Sequence, residues 1–223
     1  GGGIGCSEGS DANIDNVVIT GNTASFGGGG LDCSISSPTL TNLIISENIG
    51  SIGSGASGIF LEWCGIEGGT TGIEMNNVLI SKNQGKYGMR VSFSDPLSMI
   101  NVTISKNEGS GIRFSSTNPY LENVTIRENN NDYGDLGGGM ILSGSIPVFS
   151  NENRCNIYSN NSMGNGRDIY VSGSYFPPID VILDTFTVIH PTEYYTNLQE
   201  NSTFDIFNSI IDQQVAADLY VAL

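Results

Sequence analysis

Asn77-Val-Leu-Ile-Ser-Lys-Asn83 is followed, 24 residues on, by Asn101-Val-Thr-Ile-Ser-Lys-Asn107. The same phrase returns as Asn16-Val-Val-Ile-Thr-Gly-Asn22, Asn42-Leu-Ile-Ile-Ser-Glu-Asn48 and Asn123-Val-Thr-Ile-Arg-Glu-Asn129, and more loosely as Asn156-Ile-Tyr-Ser-Asn160. Successive copies begin 26, 35, 24, 22 and 33 residues apart. Self-similarity at such a period marks a solenoid, in which each repeat buries its apolar face against the next. The shortest step must hold a complete unit, so the longer steps carry insertions.

A second landmark runs beside the first: Gly3-Ile4, Gly30-Leu31, Gly58-Ile59, Gly88-Met89, Gly111-Ile112, Gly139-Met140 and Asp168-Ile169. Apolar residues alternate after each one, as in Leu31/Cys33, Ile59/Leu61 and Ile112/Phe114. Alternation of period two is the mark of a strand with one buried face. A third apolar set, Ile14, Leu40, Met75, Met99 and Leu121, stands two residues before each leading Asn. The expectation is an all-β chain: a parallel β-helix of about seven coils with three short strands per coil. Residues 1–173 form the repeats and 174–223 a non-repeat β cap, or a connection to a following unit. Inside, Val17, Leu43, Val78, Val102 and Val124 form one ladder, and Ile19, Ile45, Ile80, Ile104 and Ile126 another. Asn16, Asn42, Asn77, Asn101 and Asn123 form a structural ladder at a sharp bend, because Asn tolerates left-handed backbone and its amide can bond to the copies above and below.

The phrase Gly28-Gly-Gly-Leu-Asp-Cys33, with Ser36-Ser-Pro-Thr-Leu-Thr-Asn42 and the Ile-Ser-x-Asn ending, resembles the right-handed parallel β-helix repeats of bacterial surface proteins. These belong to the broad pectate-lyase-like superfamily and also resemble polymorphic outer-membrane protein repeats. Asn153-Arg-Cys-Asn-Ile-Tyr158 is similar to a closing segment of one such group, and Asp218-Leu-Tyr-Val221 to the entry into a further unit. The resemblance implies fold far more than function, since the superfamily holds lyases, hydrolases, adhesins and scaffolds.

Eight Lys and Arg against 23 Asp and Glu leave a net charge of −15, which argues against nucleic acid and anionic membrane as partners. No apolar run is long enough to span a bilayer. High Asn, Ser, Thr and Gly with few charges reads as a secreted β-protein, extracellular or on a cell surface. The chain starts inside a repeat, so a processed product or a window on a longer protein is expected. Cys6 and Cys33 fall at equivalent inward positions, within disulfide range but with parallel Cβ vectors that fit the bond poorly, and read as a buried thiol ladder, with the bridging state of the four cysteines left open. Cys64 and Cys155 stand outside it, without metal-ligand spacing.

The outward position after the Gly landmark runs Asp32, Phe60, Arg90, Arg113, Ile141, Tyr170. Arg90 beside Arg113 is unusual in so acidic a chain and suits a carboxylate or an anionic sugar, with Phe60, Tyr170 or Trp63 as stacking platforms. No Asp/Glu cluster accompanies the arginines, so no catalytic residue is assigned. Lys82 and Lys106, flanked by Glu47 and Glu128, read as ordinary surface pairs. The Asn129–Asp135 loop is rich in oxygen ligands that suit Ca²⁺ but lacks regular ligand spacing, so no metal or cofactor is assigned. Asn101, Asn123, Asn160 and Asn201 begin N-glycosylation sequons. The outward row Val18, Ile44 and Leu79 stacks three apolar side chains and marks a self-association face, unless residues 65–76 cover it. The expected function is an extracellular structural or adhesive module whose partners are copies of itself, neighbouring units of a longer chain, or glycans. A polysaccharide lyase or hydrolase on the same fold, or a carbohydrate-binding module, is the alternative.

Overall fold

The computed structural model describes residues 1–53, 55–65, 72–133, 137–164, 166–172, 179–187, 203–210 and 219–222. Among these no helix forms, and all strand pairing is parallel, in a β-solenoid of about six turns against the seven read from the repeats. One sheet collects the strands that follow the Gly landmark: Ile4–Ser7, Leu31–Ser34, Ile59–Glu62, Gln84–Ser92, Glu108–Ser115, Met140–Ser143, Ile169–Ser172 and Leu219–Ala222. The other collects the Asn-flanked runs, from Asn13–Asp15 and Val18–Thr20 through Thr39–Ser46, Ile73–Ser81 and Leu97–Ser105 to Cys155–Tyr158. Three tail strands, Asp180–Thr187, Thr203–Ile210 and Leu219–Ala222, add to these same two sheets in parallel.

The three strand segments of a coil are shared between two sheets for a local reason. Asn16, Asn42, Asn77, Asn101 and Asn123 take φ between 49° and 57°, a left-handed conformation that Asn accepts at little cost. One such residue bends a strand without ending its sheet, so Thr39–Ser46 runs through Asn42 and Leu97–Ser105 through Asn101. In the sixth coil the phrase is offset. Asn156 pairs with Thr125 in mid-strand rather than with Asn123, and only Asn160 keeps its place in the repeat.

Inward residues stack like on like. Leu43, Val78, Val102 and Val124 are buried, as are Ile19, Ile45, Ile80, Ile104 and Ile126, and both rows join one continuous core. The second asparagine of each phrase does more than the first. Asn48, Asn83, Asn107, Asn129 and Asn160 are all buried. The Nδ2 of each, from Asn22 onward, donates to Oδ1 of the next at 2.9–3.0 Å. Its backbone N–H donates to the same oxygen at 3.0–3.1 Å. The remaining Nδ2 proton of Asn48, Asn83, Asn107, Asn129 and Asn160 goes back to the carbonyl of Ile19, Ile45, Ile80, Ile104 and Ile126 respectively. Asp168 Oδ1 receives the last amide at 2.8 Å. A buried amide must have its donors and acceptor met, and this stacking meets them all in Asn48 through Asn160.

A second polar ladder lines the opposite corner. Cys64 N–H donates to Ser94 Oγ, Ser94 N–H to Thr117 Oγ1 and Thr117 N–H to Ser145 Oγ, each at 3.1 Å. Cys64 therefore stands outside the Cys6–Cys33 register, as expected, and occupies a hydroxyl position in this row. All four cysteines are free, buried thiols, with Cys6 and Cys33 in register. Burial is the main cause that pushes the thiols of Cys33 and Cys64 up and that of Cys155 up to about 11.

Candidate functional site

The predicted outward row exists in register: Asp32, Phe60, Arg90, Arg113, Ile141 and Tyr170 stand on successive rungs. What covers each rung depends on the link between the inner Asn and the following Gly landmark. Those links run eight residues (Asn22 to Gly30), ten (Asn48 to Gly58), five (Asn83 to Gly88), four (Asn107 to Gly111), ten (Asn129 to Gly139) and eight (Asn160 to Asp168). The described ends of two long links lie against the sheet. A Cβ on Gly137 would stand 2.5 Å from the Ile141 side chain, and one on Gly166 2.8 Å from Tyr170 Cβ. Short links have no slack to do so, and the chain stays extended through Gln84–Ser92 and Glu108–Ser115.

The result is a saddle two rungs wide, with Arg90 and Arg113 on its floor, both half-buried. Their side chains are held alike. Arg90 Nε donates to Ser92 Oγ at 3.3 Å and Arg113 Nε to Ser115 Oγ at 3.1 Å. The Arg90 guanidinium lies 5.4 Å from the centre of the Phe60 ring, and that of Arg113 lies 5.7 Å from Tyr87, whose hydroxyl oxygen accepts from Nη1 at 2.9 Å. Lys86 stands over the same tyrosine at 5.6 Å. Burial and the adjacent Arg113 charge push the Arg90 guanidinium below its usual value, against the opposing pull of Tyr87 and Glu62. Among the described residues no carboxylate forms an ion pair with Arg113.

Tyr170 sits differently from the expectation. It is 6% exposed and packs with Ala56, Tyr87 and Ile141 in a second apolar cluster, against which Phe60 also rests. The side chain is enclosed in this cluster rather than offered as a platform. Trp63 is 48% exposed, but one face is stacked on Phe93, with centroids 4.4 Å apart and planes within 8°. Ile35, Trp63 and Phe93 hold the same corner of successive coils, all at φ of 50–56°. Such backbone costs a non-glycine residue about 1–2 kcal/mol, and here the next coil holds it, as Trp63 N–H bonds Ser92 O at 3.0 Å and Phe93 N–H bonds Ser115 O at 2.9 Å.

On the other sheet Val18, Ile44 and Leu79 share one outward row, followed by Thr103 and Thr125. Val18 is 63% exposed, Ile44 42% and Leu79 half-buried. Residues 66–71 of the segment expected to cover them lie outside the described residues, as do Gly134 and Asp135 of the candidate calcium loop, in which Asn130 Nδ2 donates to Asp132 Oδ2. Among the described residues no group of three or more His, Cys, Asp or Glu could hold a metal ion. Lys106 pairs with Glu128 at 3.3 Å on the surface. Of the sequon asparagines Asn101 and Asn123 are exposed, Asn160 is buried, and Asn201 lies outside the described residues.

A polar cleft of about 400 Å³ escaped the sequence reading. Asn123, Glu152, Asn153, Arg154, Asn156 and Asp184 line it, and Asn153 Nδ2 donates to Glu122 Oε1 at 2.8 Å beside it. Its residues come from different coils, across the offset sixth repeat and the tail strand Asp180–Thr187, so no local motif announces it. No protein family, curated protein or solved structure matches the chain.

Proposed function

We propose that this chain is an extracellular structural or adhesive module of the β-helix kind found in surface repeats of the broad pectate-lyase-like group. The observation that supports it most is the unbroken inner asparagine ladder. A row of buried amides, each bonded to the next coil, resists bending and shear along the solenoid, which is what a spacer or assembly unit requires. The flat outward row Val18, Ile44 and Leu79 supplies an apolar face for lateral contact. Light scattering on the purified chain, with negative-stain imaging of large species, tests the assembly role. Ordered oligomers that dissociate in Ile44→Lys are the expected result; a chain that stays monomeric at all concentrations removes self-association.

The polar cleft favours one alternative. Glu152, Arg154 and Asp184 bring two carboxylates and a cation to one concavity, the kind of set that acid–base cleavage of a polysaccharide uses. Depolymerisation of acidic polysaccharides, assayed with and without Ca²⁺, and its loss in Glu152→Gln and Asp184→Asn, would establish this reading over the first.

A further inference from the structure

Three of the eight basic residues of this acidic chain, Lys86, Arg90 and Arg113, lie on the two adjacent coils whose links are shortest. Stacking like charges on neighbouring rungs, about 4.8 Å apart, opposes folding unless something else is gained. The arginines are also pre-set: a serine holds each Nε, and an aromatic ring lies beneath each guanidinium. Their rotamer freedom is thus already restricted before any ligand arrives. Guanidiniums so placed are forks for an oxyanion, and a carboxylate is the ordinary partner. Glu62 contributes an opposing field at Arg90, while Arg113 keeps no carboxylate partner among the described residues.

We propose that the Arg90–Arg113 saddle binds carboxylates of an acidic peptide segment on a partner protein. The surroundings favour peptide over glycan. A sugar needs a free ring face, and the guanidiniums themselves stand over Phe60 and Tyr87. A few apolar side chains accompany the basic pair: Ala56 of the second coil's link and Ile141 of the next rung pack with Tyr87, and Ile52 and Tyr133 are exposed in the otherwise polar links of the second and fifth coils. Acidic side chains interspersed with leucine match a cationic floor with apolar residues beside it. The proposal rests on the adhesive reading, and gives it a partner chemistry.

Fluorescence anisotropy with a labelled Glu-Leu-Glu-Glu-Leu-Glu peptide tests it on the whole chain. Binding is expected to weaken roughly ten-fold or more in Arg113→Gln, to recover partly in Arg113→Lys, and to remain unchanged in Lys82→Gln on the distant surface row. Thermal melts of each variant separate loss of binding from loss of fold. Equal binding of the Gln-Leu-Gln-Gln-Leu-Gln peptide, no binding of either peptide to the parent chain, or undiminished binding by Arg113→Gln would overturn the proposal. So would capture of an oligouronate in preference to the acidic peptide. Particle size measured without peptide in the same samples reads the assembly role separately, since Arg113→Gln leaves the Val18, Ile44 and Leu79 face intact.

Discussion

Each full repeat carries two asparagines six residues apart, and they live in different worlds. The outer row, Asn16 to Asn123, is exposed, and its links are mixed: Asn77 Nδ2 reaches Asn42 Oδ1 at 2.7 Å, but Asn42 reaches Asp15 and Asn101 reaches Asn76. The inner row is buried and bonds only to itself, the backbone and Asp168. The outer residue is there for its backbone, the inner one for its side chain. In the inner row the left-handed corner has moved to the residue before, where Gly21, Glu47, Lys82, Lys106, Glu128 and Ser159 take its place with φ of 54–70°. The same amino acid thus solves a conformational problem on one side of the strand and a solvation problem on the other.

That difference can be broken by substitution. The largest effect is expected for Asn83→Ala, which strands the backbone and side-chain donors of Asn48 in the interior. Unmet buried groups cost about 1–3 kcal/mol each, so a loss of about 2–4 kcal/mol should appear as a lowered denaturation midpoint. Asn107→Asp keeps the acceptor for Asn83 but gives up both amide donors and buries a charge, and should come close behind. Asp168→Asn, at the end of the row where the carboxylate accepts from Asn160, should cost less than either. Asn77→Ala comes next, at about 1 kcal/mol for left-handed backbone, and Asn77→Gly should restore most of it; if Ala and Gly behave alike, the conformational account of the outer row fails. Smallest is Lys106→Ala, whose exposed pair with Glu128 should contribute under about 1 kcal/mol.

Thiol chemistry sharpens the same contrast by reporting on the interior. Cys155, buried and held protonated up to about pH 11, should resist alkylation at pH 8 in the folded chain and react when unfolded. Because its folded value lies above the ordinary one, the unfolded chain ionises first, and stability from this group falls as pH rises past about 9. An inner-row variant should speed Cys155 labelling, and an outer-row variant should not.

The fold was legible because its signal is repeated. Alternation in Leu31/Cys33 and Ile59/Leu61 and the recurring Val-x-Ile core left little else for the chain to form. The two asparagines could not be told apart by periodicity, since both bracket the same run at fixed spacing. One clue was there: in the sixth copy only Asn160 keeps its register, while Asn156 has slipped to mid-strand. The arginine pair was legible from its repeat position, yet its exposure was set by links of four and five residues where neighbouring coils have eight or ten, a property of spacing rather than of residue type. Tyr170 shows the converse, an outward position buried in an apolar cluster with Ala56, Tyr87 and Ile141. The cleft was invisible because only the stacking of coils sets Asn123 and Asp184 beside the Glu152–Asn156 run.

The inner row also has a direction. Every Oδ1 from Asn48 to Asn160 faces the preceding coil and every chain-forming Nδ2–H the following one. Peptide-like dipoles set head to tail add along their common axis, as they do in a helix. The solenoid therefore contains a polar wire through a dry core, with its positive end against the Asp168 carboxylate. Reversing one amide, such as that of Asn83, would break four hydrogen bonds and oppose its neighbours on both sides, so the coils are keyed to stack in one orientation only.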